Sequence, residues 1–316
     1  MLAIIGLLGL AIAGTALVGL PALSGESDND PLDGADDATS EIADVGGLFD
    51  MDEDVENPPV DDLTVTGLTD HTNASEVSIE FALTESLEGY GEFFGDDGDD
   101  VAEGQSGHDY LDGRGGNDTL LGGEGDDHIH GGAGEDSLSG DDGDDLVYGY
   151  IGDDDLSGGT GNDTLHGGDG DDVINGGSDS DELLGGYGDD TLIGGAGRDN
   201  IQGSEGNDVL DGVTGEDIAK TDYLNGSEGQ DTLIGNDGDV MSGGADADRF
   251  EITGGTVFIM DYADDDLLVL NYEGDVPELT TQLTSDGTIL LANGAPVASL
   301  FGVTAFDAST VQLVPT

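Results

Sequence analysis

Between Gly95 and Asp211 an apolar side chain returns at every ninth residue. It falls on Ala102, Leu111, Leu120, Ile129, Leu138, Val147, Leu156, Leu165, Ile174, Leu183, Leu192, Ile201 and Leu210, and its two neighbours are mostly Thr, Ser, Asp, Asn, His or Glu. A polar–apolar–polar triplet of this kind is a short β-strand with one buried face. If the apolar residue is numbered position 8 of a nonamer, position 1 is always Gly, position 4 is Gly except at Asp179, and position 6 is always Asp. The spacing predicts thirteen successive units, each a six-residue turn followed by a three-residue strand, with glycines at positions 1, 2 and 4 taking positive φ. Two units make one coil, with strands on opposite sides and the position 8 side chains meeting between them. At a strand spacing of about 4.8 Å such an array is a rod on the order of 30 Å long with a very thin core.

The pattern changes at both ends. After Gly212 an insertion, about Ala219 to Tyr223, breaks the phase, and GSEGQDTLI at 226–234 restores it. GNDGDVMS at 235–242 is one residue short, and GGADADRFE at 243–251 carries Asp246 at position 4 and Phe250 at position 8. Beyond Arg249 the runs Phe250–Ile252, Val257–Met260, Leu267–Leu270, Thr288–Leu291 and Val297–Phe301 read as strands, with Ser285-Asp-Gly and Asn293-Gly as turns. A β-rich segment here would cover the open end of a solenoid. Upstream, Leu63–Thr66 and Val77–Leu83 alternate like short strands, and Gly25 to about Asp61 is an acidic linker. Met1–Leu23 has no charged side chain and reads equally as a cleaved signal peptide or a retained membrane anchor. The expected organisation is residues 1–24 as signal or anchor, 25–94 as linker, 95–251 as the repeat array and 252–316 as the cap with a C-terminal export signal as a second route out of the cell.

Composition then narrows the partners. Seventy-three acidic residues face four basic ones, for a formal net charge of -69. Self-repulsion at that density opposes a compact state unless cations are taken up. Nucleic acid and anionic membranes are poor partners, since both call for Lys/Arg clusters. The chain has no cysteine, which excludes disulfides, thiolate zinc sites and Cys nucleophiles.

The turns carry the candidate chemistry. Calcium takes six to eight oxygens at about 2.3–2.6 Å from carboxylates and carbonyls, and a glycine-rich turn ending in Asp supplies both. One edge of the array would gather Asp100, Asp118, Asp136, Asp154, Asp172, Asp190 and Asp208, and Asp231, in the unit after the insertion, is a further candidate. The other would gather Asp109, Asp127, Asp145, Asp163, Asp181 and Asp199. Within each file the carboxylates lie closer than a Debye length, about 8 Å, so they repel unless cations sit between them. Metal affinity would then be folding free energy. An acidic disordered tract, the plain alternative, would not place an apolar residue at every position 8. His108, His128, His130 and His166 read as solvated surface rather than a zinc site, and paired acids such as Asp141-Asp142 as charged turn surface. The Asn117-Asp-Thr and Asn162-Asp-Thr sequons follow from the repeat itself.

GGEGDDHIH, GGTGNDTLH and GGDGDDVIN match the nonapeptide G-G-x-G-x-D-x-U-x, so the chain resembles the RTX (hemolysin-type calcium-binding repeat) family over residues 95–251. The resemblance implies an all-β parallel β-roll, multiple calcium ions between adjacent turns, and export as an unfolded chain. It also places a segment like Ile259–Leu270 after the last repeats, where Asp261 and Asp264 are candidates for a final ion. Family members often join the roll to a metalloprotease, lipase or epimerase domain. This chain has no H-E-x-x-H or G-x-S-x-G, and only about seventy residues precede the repeats after the apolar segment, so no enzymatic activity is expected. The expected protein is a secreted, non-enzymatic calcium binder with no small-molecule substrate. The competing expectation is a surface adhesion or polysaccharide-binding module in which calcium only rigidifies a display rod.

Overall fold

In the computed structural model the described residues are 91–215 and 220–316, all within one compact unit, Asp70–Thr316. Met1–Leu23, the acidic linker and the strand-like runs at 63–66 and 77–83 lie outside the described residues, as do 216–219 of the insertion.

The strands follow one another at the pace of the nonamer. They are β1 (Glu92–Phe94), β2 (Val101–Ser106), β3 (Tyr110–Gly115), β4 (Thr119–Glu124), β5 (His128–Ala133), β6 (Ser137–Asp142), β7 (Leu146–Ile151) and β8 (Asp155–Thr160). Next come β9 (Thr164–Asp169), β10 (Val173–Ser178), β11 (Glu182–Tyr187), β12 (Thr191–Ala196), β13 (Asn200–Glu205), β14 (Val209–Asp211), β15 (Tyr223–Glu228) and β16 (Thr232–Gly235). The last are β17 (Val240–Ala245), β18 (Arg249–Ile252), β19 (Val257–Ile259), β20 (Leu267–Tyr272), β21 (Leu279–Leu283), β22 (Gly287–Ala292), β23 (Ala295–Phe301) and β24 (Gln312–Pro315). Odd-numbered strands from β1 to β19 form one parallel sheet and even-numbered strands from β2 to β20 the other. Register advances by 18 residues per coil, as in Leu111↔Ile129 and Leu120↔Leu138. The structure is therefore an all-β parallel solenoid with two nonamers per coil.

Strand and turn divide differently from the expectation. A typical strand runs through positions 7, 8 and 9 and on through 1, 2 and 3 of the next unit, leaving a three-residue turn at positions 4, 5 and 6. The register skips position 1, as between Leu121 and Gly123, so the strand bends there without ending. Inward-facing residues are then positions 6, 8 and 1: Asp, one aliphatic side chain and Gly. The position 8 residues from Leu111 to Leu210 are almost wholly buried and form one continuous core between the two sheets. Position 1 glycines are not in the positive-φ region, whereas positions 2 and 4 of the thirteen units are from Gln105 onward, Gly197 excepted.

The solenoid extends beyond the repeat in both directions. β1 pairs with β3 and sets Phe93 in the position 8 file. Past the insertion, Tyr223 pairs with Asn200 and Leu224 with Ile201, so Asp222 and Tyr223 are back in phase and belong to the repeat, not the insertion. β18, β19, β20 and β24 continue the two sheets with Phe250, Ile259 and Leu268 in the core. The strand-like runs after Arg249 are strands. β21, β22 and β23 form an antiparallel meander on the end of the odd-numbered sheet, and Asn293-Gly294 (φ 52° and 83°) make the β22–β23 turn.

Candidate metal centre

Each position 6 Asp lies at the end of a turn with its side chain turned inward, and the array places these carboxylates in two files. In the even-numbered sheet the Asp100 amide donates to Asp118 Oδ1 at 2.8 Å, the Asp118 amide to Asp136 Oδ1 at 2.8 Å, and so on. The file runs Asp100, Asp118, Asp136, Asp154, Asp172, Asp190, Asp208 and Asp231. The other begins with Gly91 donating to Asp109 Oδ1 and runs through Asp127, Asp145, Asp163, Asp181 and Asp199. The structure thus brings all fourteen sequence-predicted aspartates together as two ladders (8 in one, 6 in the other). It adds four more: Asp222 and Asp239 in one, Asp248 and Asp266 in the other. The signal for all four was present, because Asp222-Tyr-Leu224, Asp239-Val-Met241, Asp248-Arg-Phe250 and Asp266-Leu-Leu268 keep the step from position 6 to position 8. Asp100 is a terminal case, since its Oδ2 accepts from the Asp96 amide.

The two oxygens of an interior Asp have different surroundings. Oδ1 holds the amide of the preceding coil. Oδ2 of Asp118, Asp127, Asp136, Asp145, Asp154, Asp163, Asp172, Asp181 and Asp190 is buried and accepts no hydrogen bond. A buried carboxylate oxygen in that state is costly unless something positive approaches it. The space beside Oδ2 is kept open by the position 1 glycines. A Cβ on Gly176 would lie 2.5 Å from Asp181 Oδ2 and 2.6 Å from the carbonyl oxygen of Gly194, one coil on. A carboxylate oxygen and a main-chain carbonyl therefore converge on the same glycine, unit after unit. In the turns, the carbonyls of Gly116, Gly125, Gly143 and Gly152 accept no main-chain hydrogen bond. The Gly116 oxygen lies so close to Gly134 that a side chain there would overlap it.

Burial shifts these carboxyls upward. Desolvation, reinforced by the neighbouring carboxylates and partly offset by the donated amide, raises Asp145, Asp154, Asp181 and Asp190 to about 7, and Asp118, Asp127, Asp163, Asp172, Asp208 and Asp231 to about 6. Burial thus opposes the charge that the sequence brings into the roll. A bound cation reverses that preference.

These residues fit calcium. The donors are all hard oxygens, carboxylate and carbonyl, with no nitrogen or sulfur among them. Among the described residues no three Asp, Glu or His side chains are set around a single ion position, so main-chain carbonyls must complete any coordination shell beside the carboxylates. Asp261 is committed elsewhere: its oxygens accept from Ser242 Oγ at 2.6 Å and from the amides of Gly243 and Gly244, each at 3.0 Å.

Position 5 forms a second ladder outside the first. The Asn117 amide donates to Asp99 Oδ1 at 2.9 Å, Glu135 to Asn117 Oδ1, and Asp171 to Asp153 Oδ1. It runs in the opposite sense, each side chain accepting from the coil that follows, and it is exposed. These residues sit on the turn surface and also tie coils together.

The profile of the RTX calcium-binding nonapeptide repeat (4 copies) matches residues 94–129, 112–147, 121–156, 148–183, 184–219 and 219–250. No curated protein matches the chain. Among solved structures, a hyperactive, Ca2+-dependent, β-helical antifreeze protein from an Antarctic bacterium aligns at 20% identity and a TM-score of 0.27. That alignment spans 58% of this chain and 72% of that one.

Proposed function

Residues 94–250 belong to the RTX calcium-binding nonapeptide repeat family, and from that premise we propose that the protein is exported and that its roll forms outside the cell when calcium fills it. The observation that carries this reading is the pair of buried carboxylate files, in which Oδ2 accepts no hydrogen bond at the interior residues from Asp118 to Asp190, in a chain of net charge -69. Without calcium the files are desolvated like charges, and folding must either protonate them or bring in cations. With calcium, Oδ2 and the facing carbonyls become ligands while Oδ1 still links the coils. Ion binding and coil stacking are then one equilibrium, and the protein acts as a calcium-gated scaffold without catalysis. Where calcium is scarce the chain stays open, which suits passage through an export channel.

Circular dichroism of the full chain tests the calcium gate. Chelator should give a coil-like spectrum and millimolar Ca²⁺ a β spectrum, with Mg²⁺ much weaker because it demands a tight octahedron and dehydrates reluctantly. Equal β content with and without calcium would refute it. Mass spectrometry of protein from the culture medium tests export. A new N-terminus near Gly25 identifies a cleaved signal, an intact Met1 in the medium identifies a C-terminal route, and protein confined to the cytosol overturns export.

A further inference from the structure

The nonamer leaves the outward residues free, and on one face they depart from the acidic norm of this chain. Along the outer side of the odd-numbered sheet, aromatic and imidazole rings sit against one another from strand to strand. Phe94 meets Tyr110 at 5.6 Å between ring centroids, Tyr110 meets His130 at 5.2 Å, His130 meets Tyr148 at 5.4 Å, and Tyr148 meets His166 at 4.9 Å. Tyr150 joins the row against both His130 and Tyr148, and its hydroxyl lies 2.9 Å from His130 Nδ1. The corresponding positions of the even-numbered sheet, from β2 to β10, carry no ring.

Two backbone outliers serve this row. Position 2 has positive φ, where glycine is unstrained; six non-glycine residues occupy it, Gln105, Arg114, Asp141, Tyr150, Ser204 and Ser227, and of these Tyr150 (φ 81°) and Arg114 (φ 72°) lie in the aromatic row. A bulky side chain in that region is strained and persists only where its surroundings hold it. Both side chains go to the aromatic face: Tyr150 into the ring stack, Arg114 over Phe94 at 5.7 Å.

The charge of the face selects its occupant. Among outward positions 7 and 9 of β1, β3, β5, β7 and β9, Glu92 and Asp112 are the acids, and the Arg114 guanidinium lies 3.9 Å from Asp112. The face is thus close to neutral, while the turns at its borders carry the exposed position 5 acids. A polyanion would be repelled by those borders, a polycation would go to the turns instead, and a second copy would bring another -69 alongside. An uncharged ligand with apolar ring faces and many hydroxyls meets none of these penalties and suits Tyr and His, which offer apolar bodies with polar tips. We propose that this face is a docking track for an uncharged polysaccharide, lying across β1, β3, β5, β7 and β9. Five strands at about 4.8 Å make a flat track of about 19 Å, room for several sugar units in a row. The track exists only on the folded roll, so it rests on the calcium reading.

Native affinity electrophoresis of the full chain in calcium tests it, with hydroxyethyl cellulose, a mixed-linkage β-glucan, dextran or alginate cast into the gel. The expected result is retardation by at least one of the three uncharged polymers and none by alginate. Tyr148→Ala with Tyr150→Gly should bind about tenfold more weakly or not at all, since aromatic anchors carry most of such contacts. Val173→Ala, on the opposite sheet, should bind as the parent does. Tyr150→Gly relieves the strained φ, so this variant should keep its β spectrum. No retardation by any uncharged polymer, retardation by alginate alone, or equal retardation of the double variant would each overturn the track. Circular dichroism of the same samples separates the two readings: a normal calcium response without retardation overturns the track alone, and a missing calcium response overturns both.

Discussion

Replacing Asp163 and Asp172 together, first by Asn and then by Ala, separates the two oxygens of the ladder carboxylate. In the alanine variant the amides of Asp145 and Asp154, which donate to Asp163 Oδ1 and Asp172 Oδ1 at 2.9 Å each, lose their acceptors inside the roll. A buried amide left unpaired costs about 1–3 kcal/mol, so the pair costs several kcal/mol in either condition. Asparagine keeps the Oδ1 acceptor and removes the buried charge. Burial lifts both carboxyls to about 6, so the ionised form disfavours the metal-free roll by up to about 3 kcal/mol per residue, an upper bound that solvent relaxation reduces. In chelator the β signal should therefore rank asparagine variant above parent and alanine variant below it. In calcium both variants lose two anionic ligands, and equilibrium dialysis should count fewer bound ions in each. The order thus crosses between chelator and calcium only for asparagine. If the asparagine variant matched the alanine variant in chelator, the Oδ1 ladder would not be holding the coils. If it bound the full complement of calcium, Oδ2 would not be a ligand.

Acidification should act in opposite directions with and without metal. The ladder carboxyls titrate near 6–7 in the metal-free roll and in the ordinary carboxylate range when unfolded, so between those limits the roll holds more protons than the open chain. Metal-free stability should then rise as pH falls from about 7 to about 5, read as growing β signal in chelator, while the calcium midpoint rises because protons compete for the same oxygens; a flat or falling chelator signal would contradict this. Asp179 occupies position 4 with φ 78°, so Asp179→Gly should stabilise the calcium-loaded roll by about 1 kcal/mol, measured as a higher thermal midpoint. Replacing Asp153 and Asp171 by Ala removes links of the exposed outer ladder, such as that from the Asp171 amide to Asp153 Oδ1 at 3.0 Å. That should cost about 0.5–1.5 kcal/mol per lost bond in thermal stability while leaving the number of calcium ions unchanged by titration calorimetry.

The nonamer by itself determined the coil. An apolar residue at every position 8, from Leu111 to Leu210, needs a partner across the solenoid, and only two units per turn supply one. The same period placed Asp118, Asp136 and Asp154 on one edge and Asp109, Asp127 and Asp145 on the other, and the charge of -69 called for cations between them. Other features depend on contacts between residues 18 apart and have no local signature. Position 1 is Gly because a Cβ on Gly176 would fill the space between Asp181 Oδ2 and the Gly194 carbonyl, not because its φ is unusual, so the turn is three residues and the strand six. The division of labour between Oδ1 and Oδ2 exists only once coils stack in register. Asp222 and Asp239 look displaced when units are counted from their first glycine, yet pairing counts from the strand and returns both to the ladder. Phe94, Tyr110, His130, Tyr148 and His166 are scattered over 73 residues (94 to 166) of sequence. They become one row only because each coil returns the chain to the same face about 4.8 Å further along.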